Sequence, residues 1–454
     1  MSALHRGIHR QDPAAAAAAD ATVPELWFHS QKLDHFNPEN SRVWSQRYFL
    51  NDTFWTNKQN PVFLILGGEG PAKASDVVNH FVISQYAQSF GALVISVEHR
   101  FYGKSQPTGS TSTADLKYLS SQQAIADYAM FQNYITETFG ASGKWIVFGG
   151  SYSGNLAAWY RLKYPHLATG AIASSAPVQA LLDFTAYLVT VGDALTPACY
   201  SKMQSATTTI ESMLTTASGR ASLETIFSTC DPITTDPNDL AFFMESLIDP
   251  ICGIVQYNND NNNYQPFNAA TMCNIFLNAG SDPVQSLATL LDQTYAFSGQ
   301  NCTGTNYEKY IKELSVTLPV DTAGRCWTWQ TCTEFGYYQT GESPQQPFSS
   351  LITLEFFENT CRDAFQFDFV PNTNWTNNFY GSTNIRGTRI VFPNGSVDPW
   401  HNLGVLEAPN GLETPIFING TAHCADLYPP SPNDVSGLTQ ARQIEFDHIT
   451  AWLK

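Results

Sequence analysis

Basic residues are the first scarcity of this 454-residue chain: 23 Lys+Arg stand against 40 Asp+Glu, for a net charge of −17. A nucleic-acid partner needs a basic face, and no Lys/Arg cluster could make one, so that class is excluded. No apolar run reaches the ~18 residues that a membrane-spanning helix needs, so no membrane partner is expected. Cysteine is missing from the first 198 residues. No CxxC or His-rich spacing suggests zinc, and neither a metal nor a cofactor is expected. No internal repeat is visible.

What is present is the composition of a globular protein, 43% apolar and 13% aromatic. The length exceeds the ~250–300 residues at which single cores stop growing, so one large domain with an inserted second domain is expected. Eight of the nine cysteines fall between Cys199 and Cys361. They read as a disulfide-stapled middle segment made in an oxidising compartment. Nine is odd, and Cys424, far from the others, is the candidate for a leftover thiol. Asn-x-Ser/Thr triplets at Asn51, Asn301, Asn374, Asn394 and Asn419 agree with a glycosylated protein on the secretory route. Residues 1–24 carry basic residues and the run Ala14–Ala19. Six alanines make a poor signal-peptide core, so the segment reads as a disordered leader or the remnant of a targeting segment.

Along the chain, residues 25–60 read as two strands with a turn. PVFLILGGEGP (61–71), ALVISVEHRFYGKS (92–105), KWIVFGGSYSG (144–154) and GAIASSAPV (170–178) read as buried strands running into loops. Helical patterns lie between them, one ending at Gly91 and one spanning 120–140 with a Ser start and a Gly stop. Strands alternating with helices predict a parallel sheet with helices on both faces. After about 180 the alternation stops, and 181–349 is expected to be a mainly helical cap. TRIVFPNGSVDPW and TPIFINGTAHCADL restore the strand-then-loop pattern. The α/β domain is thus expected in two parts, 25–180 and 350–454.

GGSYSG (149–154) carries the chemistry. An α/β-hydrolase presents its nucleophile on a tight strand-to-helix turn with small residues two before and two after. Ser151 is flanked in this way by Gly149 and Ser153, so a serine stands where a second glycine is usual. A serine hydroxyl needs a base, and the base needs a partner to fix its tautomer. In this fold the chain order is Ser, Asp or Glu, His, each after a strand. Asp398 and His423 follow the last two predicted strands, where the active site of an open α/β sheet lies. Asp426 is the alternative acid, although it follows the His. An oxyanion hole needs two backbone N–H groups. Tyr152 is expected to give one, and Gly68 or Glu69 of GGEGP the other.

At this point GGSYSGNLAAWYRLKYPHL, EHRFYGKSQP, YLSSQQAIADYA, the GGEGP turn, NGSVDPWHNLGV and GTAHCADLY together resemble the S28 family of serine peptidases. WFHSQKLDHFNP and WQTCTEFGYYQT look most like its thymus-specific branch. The resemblance runs from about 25 to 454. It implies an α/β-hydrolase fold with a helical cap, peptide substrates, cleavage next to proline, and the same triad of Ser151, Asp398 and His423. It also implies that Trp400 helps line a proline pocket, a sensible wall for a ring without an N–H. Whether the substrate's amino or carboxyl end is recognised stays open between dipeptidyl-peptidase and Pro-X carboxypeptidase types. Residues 180–345 hold 5 Lys/Arg against 17 Asp/Glu, which leans to the amine, with Glu334 as one contact. An esterase on the same fold and an inactive peptide-binding homologue are the alternatives. The partners expected are peptides and, at most, a second copy of the chain. A lysosomal, vacuolar or secreted location fits, with activity below neutral pH, which would require burial under the cap to lower the pKa of His423.

Overall fold

The computed structural model describes residues 23–259, 266–318, 322–368, 370–408 and 410–454. The expected leader lies almost wholly outside them. Eight strands form one sheet: β1 (Leu26–Lys32), β2 (Val43–Asn51), β3 (Val62–Leu66), β4 (Leu93–Val97), β5 (Trp145–Gly150), β6 (Gly170–Ser174), β9 (Ile390–Gly395) and β10 (Thr414–Ile418). A small second sheet pairs β7 (Leu181–Asp183) with β8 (Gly336–Tyr338). The main sheet has the order β1-β2-β4-β3-β5-β6-β9-β10. β2 runs antiparallel to β1 and β4, and the remaining pairs are parallel. This order, with its antiparallel start, is that of an α/β-hydrolase.

The central strands are buried on both faces, so they read as continuous apolar runs rather than as alternations. Their side chains still divide by period two. Leu64, Ile95 and Val147 join one core with helices α2 (Ser121–Phe139) and α3 (Tyr152–Lys163). Phe63, Val94 and Phe148 join the other with α1 (Ile83–Phe90) and the C-terminal helix Ser436–Leu453. The predicted helix ends are found where the caps demand. Gly91 and Gly140 close α1 and α2 in left-handed conformation, and the Ser120 side chain accepts from Gln123 N at the start of α2.

The expected cap is a set of helices, among them Pro197–Leu214, Pro237–Gln256, Ala269–Asn278, Pro283–Ser298 and Tyr307–Leu314. Its apolar residues continue the core that α2 and α3 share with the sheet. Helix Leu354–Phe365, past residue 350, packs on Tyr307–Leu314 and on Pro237–Gln256, and the sheet is rejoined only at Ile390. Disulfides join Cys199–Cys273, Cys230–Cys302 and Cys332–Cys361. Cys424 is free as expected, but so are Cys252 and Cys326. Both are buried, and a buried cysteine serves as a small apolar side chain. One expected glycosylation site is corrected: Asn394 is 1% exposed, and its Nδ2 donates to the carbonyls of Phe392 and Val405. Its amide is unreachable in the folded chain. Asn301, Asn374 and Asn419 are exposed. No helix among the described residues is long and apolar enough to cross a membrane.

Candidate active site

Strand β5 ends at Gly150, and Ser151 turns the chain into α3 with φ 59° and ψ −132°. A left-handed φ at a non-glycine residue is strained and persists only where its surroundings fix it. Here Ser151 N donates to Ser174 O at 2.9 Å. The turn brings strand and helix so close that a Cβ on Gly149 would lie 2.1 Å from Ser153 O. Only glycine fits there. Ser153, the departure from the usual motif, donates from Oγ to Leu66 O at 2.6 Å and ties the helix start to the end of β3. Its hydroxyl is committed, whereas Ser151 lines a cavity of about 120 Å³.

Asp398 and His423 are brought together by the loops after β9 and β10. Oδ2 of Asp398 accepts from His423 Nδ1 at 2.9 Å, and Oδ1 accepts from Trp400 N at 3.0 Å. The acid caps the short turn Pro399–Leu403, and both side chains are fully buried. Nε2 of His423 has no hydrogen-bond partner among the described residues. Asp426, the alternative acid, accepts instead from Ser174 Oγ at 2.6 Å. Burial alone would lower the His423 pKa, but the adjoining Asp398 carboxylate and the Cys424 side chain outweigh it, and the net shift is well upward. The lowering expected from the sequence is therefore corrected: the cap desolvates the ring, but it also encloses its counter-ion.

The oxyanion candidates are Tyr152, Gly68 and Glu69. Tyr152 is the first residue of α3, where backbone N–H groups have no partner within the helix. Gly68 packs on Ser153, with an ideal Cβ only 3.2 Å from the Ser153 Cβ. Glu69 lines the same cavity as Ser151. Desolvation raises its carboxyl pKa to about 7, against the pull of His423. The Tyr152 ring is held by Gln330 Nε2 at 2.7 Å and by His99 Nε2 at 3.1 Å from its hydroxyl.

Trp400 also lines the cavity. Its ring stands 5.5 Å from those of Phe184, Tyr187 and Tyr337 and 6.5 Å from that of His423. Glu334 is not brought to this cavity. Its buried carboxylate accepts from Ser121 N and Oγ at the start of α2 and from Gln330 Nε2. Those bonds occupy it, so its expected place at a substrate amine is withdrawn.

Sequence reasoning missed Glu245 and Gln256, both on the cap helix Pro237–Gln256. Glu245 lines the cavity, and desolvation together with Asp249 raises its pKa to about 8. Gln256 O accepts from His423 N, and its Oε1 accepts from Trp400 Nε1 and Tyr187 OH. Neither residue belongs to a motif. Only the i, i+4 spacing of Glu245 and Asp249 on one helix face carried a signal.

The profile of the family described as Serine carboxypeptidase S28 matches residues 31–445. The chain belongs to that family of serine peptidases. A putative serine protease of Caenorhabditis elegans is 38% identical over 93% of this chain and 87% of its own. The thymus-specific serine protease of Homo sapiens is 35% identical over 96% and 88%. The lysosomal Pro-X carboxypeptidase of Mus musculus is 30% identical over 97% and 91%. A solved proline iminopeptidase of Mycobacterium smegmatis aligns at TM-score 0.37 and 12% identity, over 89% of this chain and 97% of that one. The fold of this S28 peptidase is assigned from its strand order, not from that alignment.

Proposed function

We propose that this S28 peptidase is a proline-preferring exopeptidase of the dipeptidyl-peptidase type, working through a Ser151–His423–Asp398 acyl-enzyme mechanism. Ser151 Oγ attacks the scissile carbonyl while His423 Nε2, which no described residue hydrogen-bonds, takes its proton. Asp398 holds the ring and balances the imidazolium. The developing oxyanion is received by Tyr152 N and by Gly68 or Glu69 N. His423 then protonates the leaving amine, and water repeats the sequence to release the acyl group. A proline ring before the scissile bond packs on Trp400 within its aromatic surround. The three disulfides and the lysosomal relative support a lysosomal or secreted location.

The observation that carries the choice of end is the charge of the cavity. Glu69 and Glu245 line it, and among the described residues no Lys, Arg or His does. A terminal carboxylate would meet acids there and no described cation, whereas a terminal ammonium would find partners. The test uses matched X-Pro-Y peptides blocked at one end or the other. Acetylating the amine should cut kcat/KM by at least ~10-fold, about 1.4 kcal/mol of transition-state binding. Amidating the carboxyl end should change it little. The reverse pattern would replace this reading by a Pro-X carboxypeptidase.

A further inference from the structure

A second cavity, of about 70 Å³, lies under the loop 67–72, and Ser151 does not line it. Its wall is made by that loop, by the end of β5 at Gly149 and Gly150, and by Cys424, Asp76, Phe81 and Tyr428. A single water needs only ~10–15 Å³ measured in this way, so the space admits a small molecule. Two features of the wall are unexplained by the peptidase chemistry. Asp76 is 5% exposed, and its Oδ1 has no hydrogen-bond partner among the described residues, although Oδ2 accepts from Lys73 N and Ser96 Oγ. Lys73 and Arg47 lie within range of its charge without bonding Oδ1. Cys424 is a free thiol beside His423. Its Sγ packs so tightly on Gly150 that a Cβ there would meet it at 2.8 Å.

We propose that this cavity is a regulatory modification site: Cys424 captures a small aminothiol as a mixed disulfide, the ammonium group of the adduct sits on Asp76 Oδ1, and the adduct switches the peptidase off. Burial pushes the Cys424 thiol up in pKa, and the His423 imidazole pulls it down. The imidazole takes the thiol proton, the thiolate attacks one sulfur of a small disulfide, and the S–S bond of that disulfide breaks. The departing thiolate recovers the proton from His423. Cys424 is oxidised to the mixed disulfide, one half of the reagent is reduced to thiol, and no other oxidant is needed. The adduct has no room on the side of Gly150. It grows into the cavity, under the loop that carries Gly68 and Glu69, and against the ring of His423.

The switching half of this inference rests on the catalytic roles given to Ser151 and His423, whereas the capture of the aminothiol does not. The probes are cystamine, the neutral bis(2-hydroxyethyl) disulfide and the anionic dithiodiglycolate, each rate being taken relative to that with free cysteine in solution. Adducts are read by intact mass and peptide mapping, and activity on a chromogenic peptide before and after treatment. One adduct is expected, on Cys424, with activity falling at least ~10-fold and returning on brief treatment with a mild thiol. Relative rates should run cation, neutral, anion in the unaltered enzyme, with at least ~10-fold between the first two. Asp76→Asn should remove that preference, and Cys424→Ser should leave activity insensitive to cystamine. No adduct on Cys424, an adduct with full activity, or no charge preference in the unaltered enzyme would each overturn the proposal. Activity surviving in Ser151→Ala would instead overturn the catalytic reading and leave the mass result standing.

Discussion

His423 donates from Nδ1 to Oδ2 of Asp398 across 2.9 Å, and both side chains are shut off from solvent. In the proposed mechanism this pair sets the pH behaviour of the enzyme. A base must be neutral to act, and Asp398 shifts His423 well above its ordinary value. The acid limb of kcat/KM should therefore lie above the ~6.5 of free histidine. Asp398→Asn should move the limb down and lower kcat by roughly 10⁴-fold, since the ring loses both its tautomer and its counter-charge. A limb that stays in place in Asp398→Asn would remove Asp398 from this role.

Ser151 and Ser153 should separate cleanly. Ser151→Ala should fold and lose ~10⁶-fold in kcat. Ser153→Ala loses only the bond to Leu66 O, at ~1–3 kcal/mol for the orphaned carbonyl, and should keep most of its turnover. Fluorophosphonate labelling followed by peptide mapping decides between them. A label on Ser153 would reverse the assignment.

Much of the catalytic half was legible in the sequence because its signals are local. The strands are unbroken apolar runs, α2 is framed by Ser120 and Gly140, and the turn at Ser151 needs Gly149 beside it. The cavity was not legible, because its chemistry is assembled by packing. Glu334 and Glu245 look alike as acids of the cap region. One is spent on the N-terminus of α2 and the other lines the cavity that Ser151 also lines, and only the tertiary fold distinguishes them. The leftover thiols have the same origin. Cys252 and Cys326 lie among the paired cysteines in sequence, yet each ends in a core with no partner.

Trp400 should govern selectivity rather than folding. Its ring closes one side of the cavity among Phe184, Tyr187 and Tyr337. Trp400→Ala should reduce the preference for Pro over Leu before the scissile bond by ~10-fold or more, mainly through the proline substrate. Equal losses for both substrates would make Trp400 a packing residue. Trp400→Phe, which keeps a flat apolar wall but loses the bond to Gln256 Oε1, should restore most of the preference.

Intact-mass counting tests the covalent frame. Alkylation of the unfolded chain without reductant should add three groups, on Cys252, Cys326 and Cys424, and full reduction should raise that to nine. Each bridge is worth ~2–5 kcal/mol if it behaves as in other secreted domains. Nine groups before reduction would remove the bridges and, with them, the oxidising compartment.

Buried carboxyl groups predict how stability follows pH. Desolvation raises Asp76 to about 6 and Glu334 to about 7, from ordinary values near ~4. A carboxyl whose pKa is raised by folding binds its proton more tightly in the folded state. Its contribution is complete below the unfolded pKa and is lost as pH rises through the folded one. Glu445 and Asp426 act in the same direction. Both are buried and shifted up by desolvation, Glu445 also by the charge of Asp426, while Arg442 donates to the backbone of Asp426 and to Asp434 instead. Glu69 and Glu245 add to this more weakly, because the cavity lets water near them. The melting temperature should therefore be higher at pH 5 than at pH 8, with the fall for Asp76 and Glu334 running from near ~4 and complete by about pH 7. Each kcal/mol is worth ~2–4 °C in a large domain. Asp76→Asn and Glu334→Gln keep the shape of the side chains but cannot ionise, so each should flatten the fall. A melting temperature that rises from pH 5 to 8 would overturn the reading that burial keeps these carboxyls protonated in the folded protein.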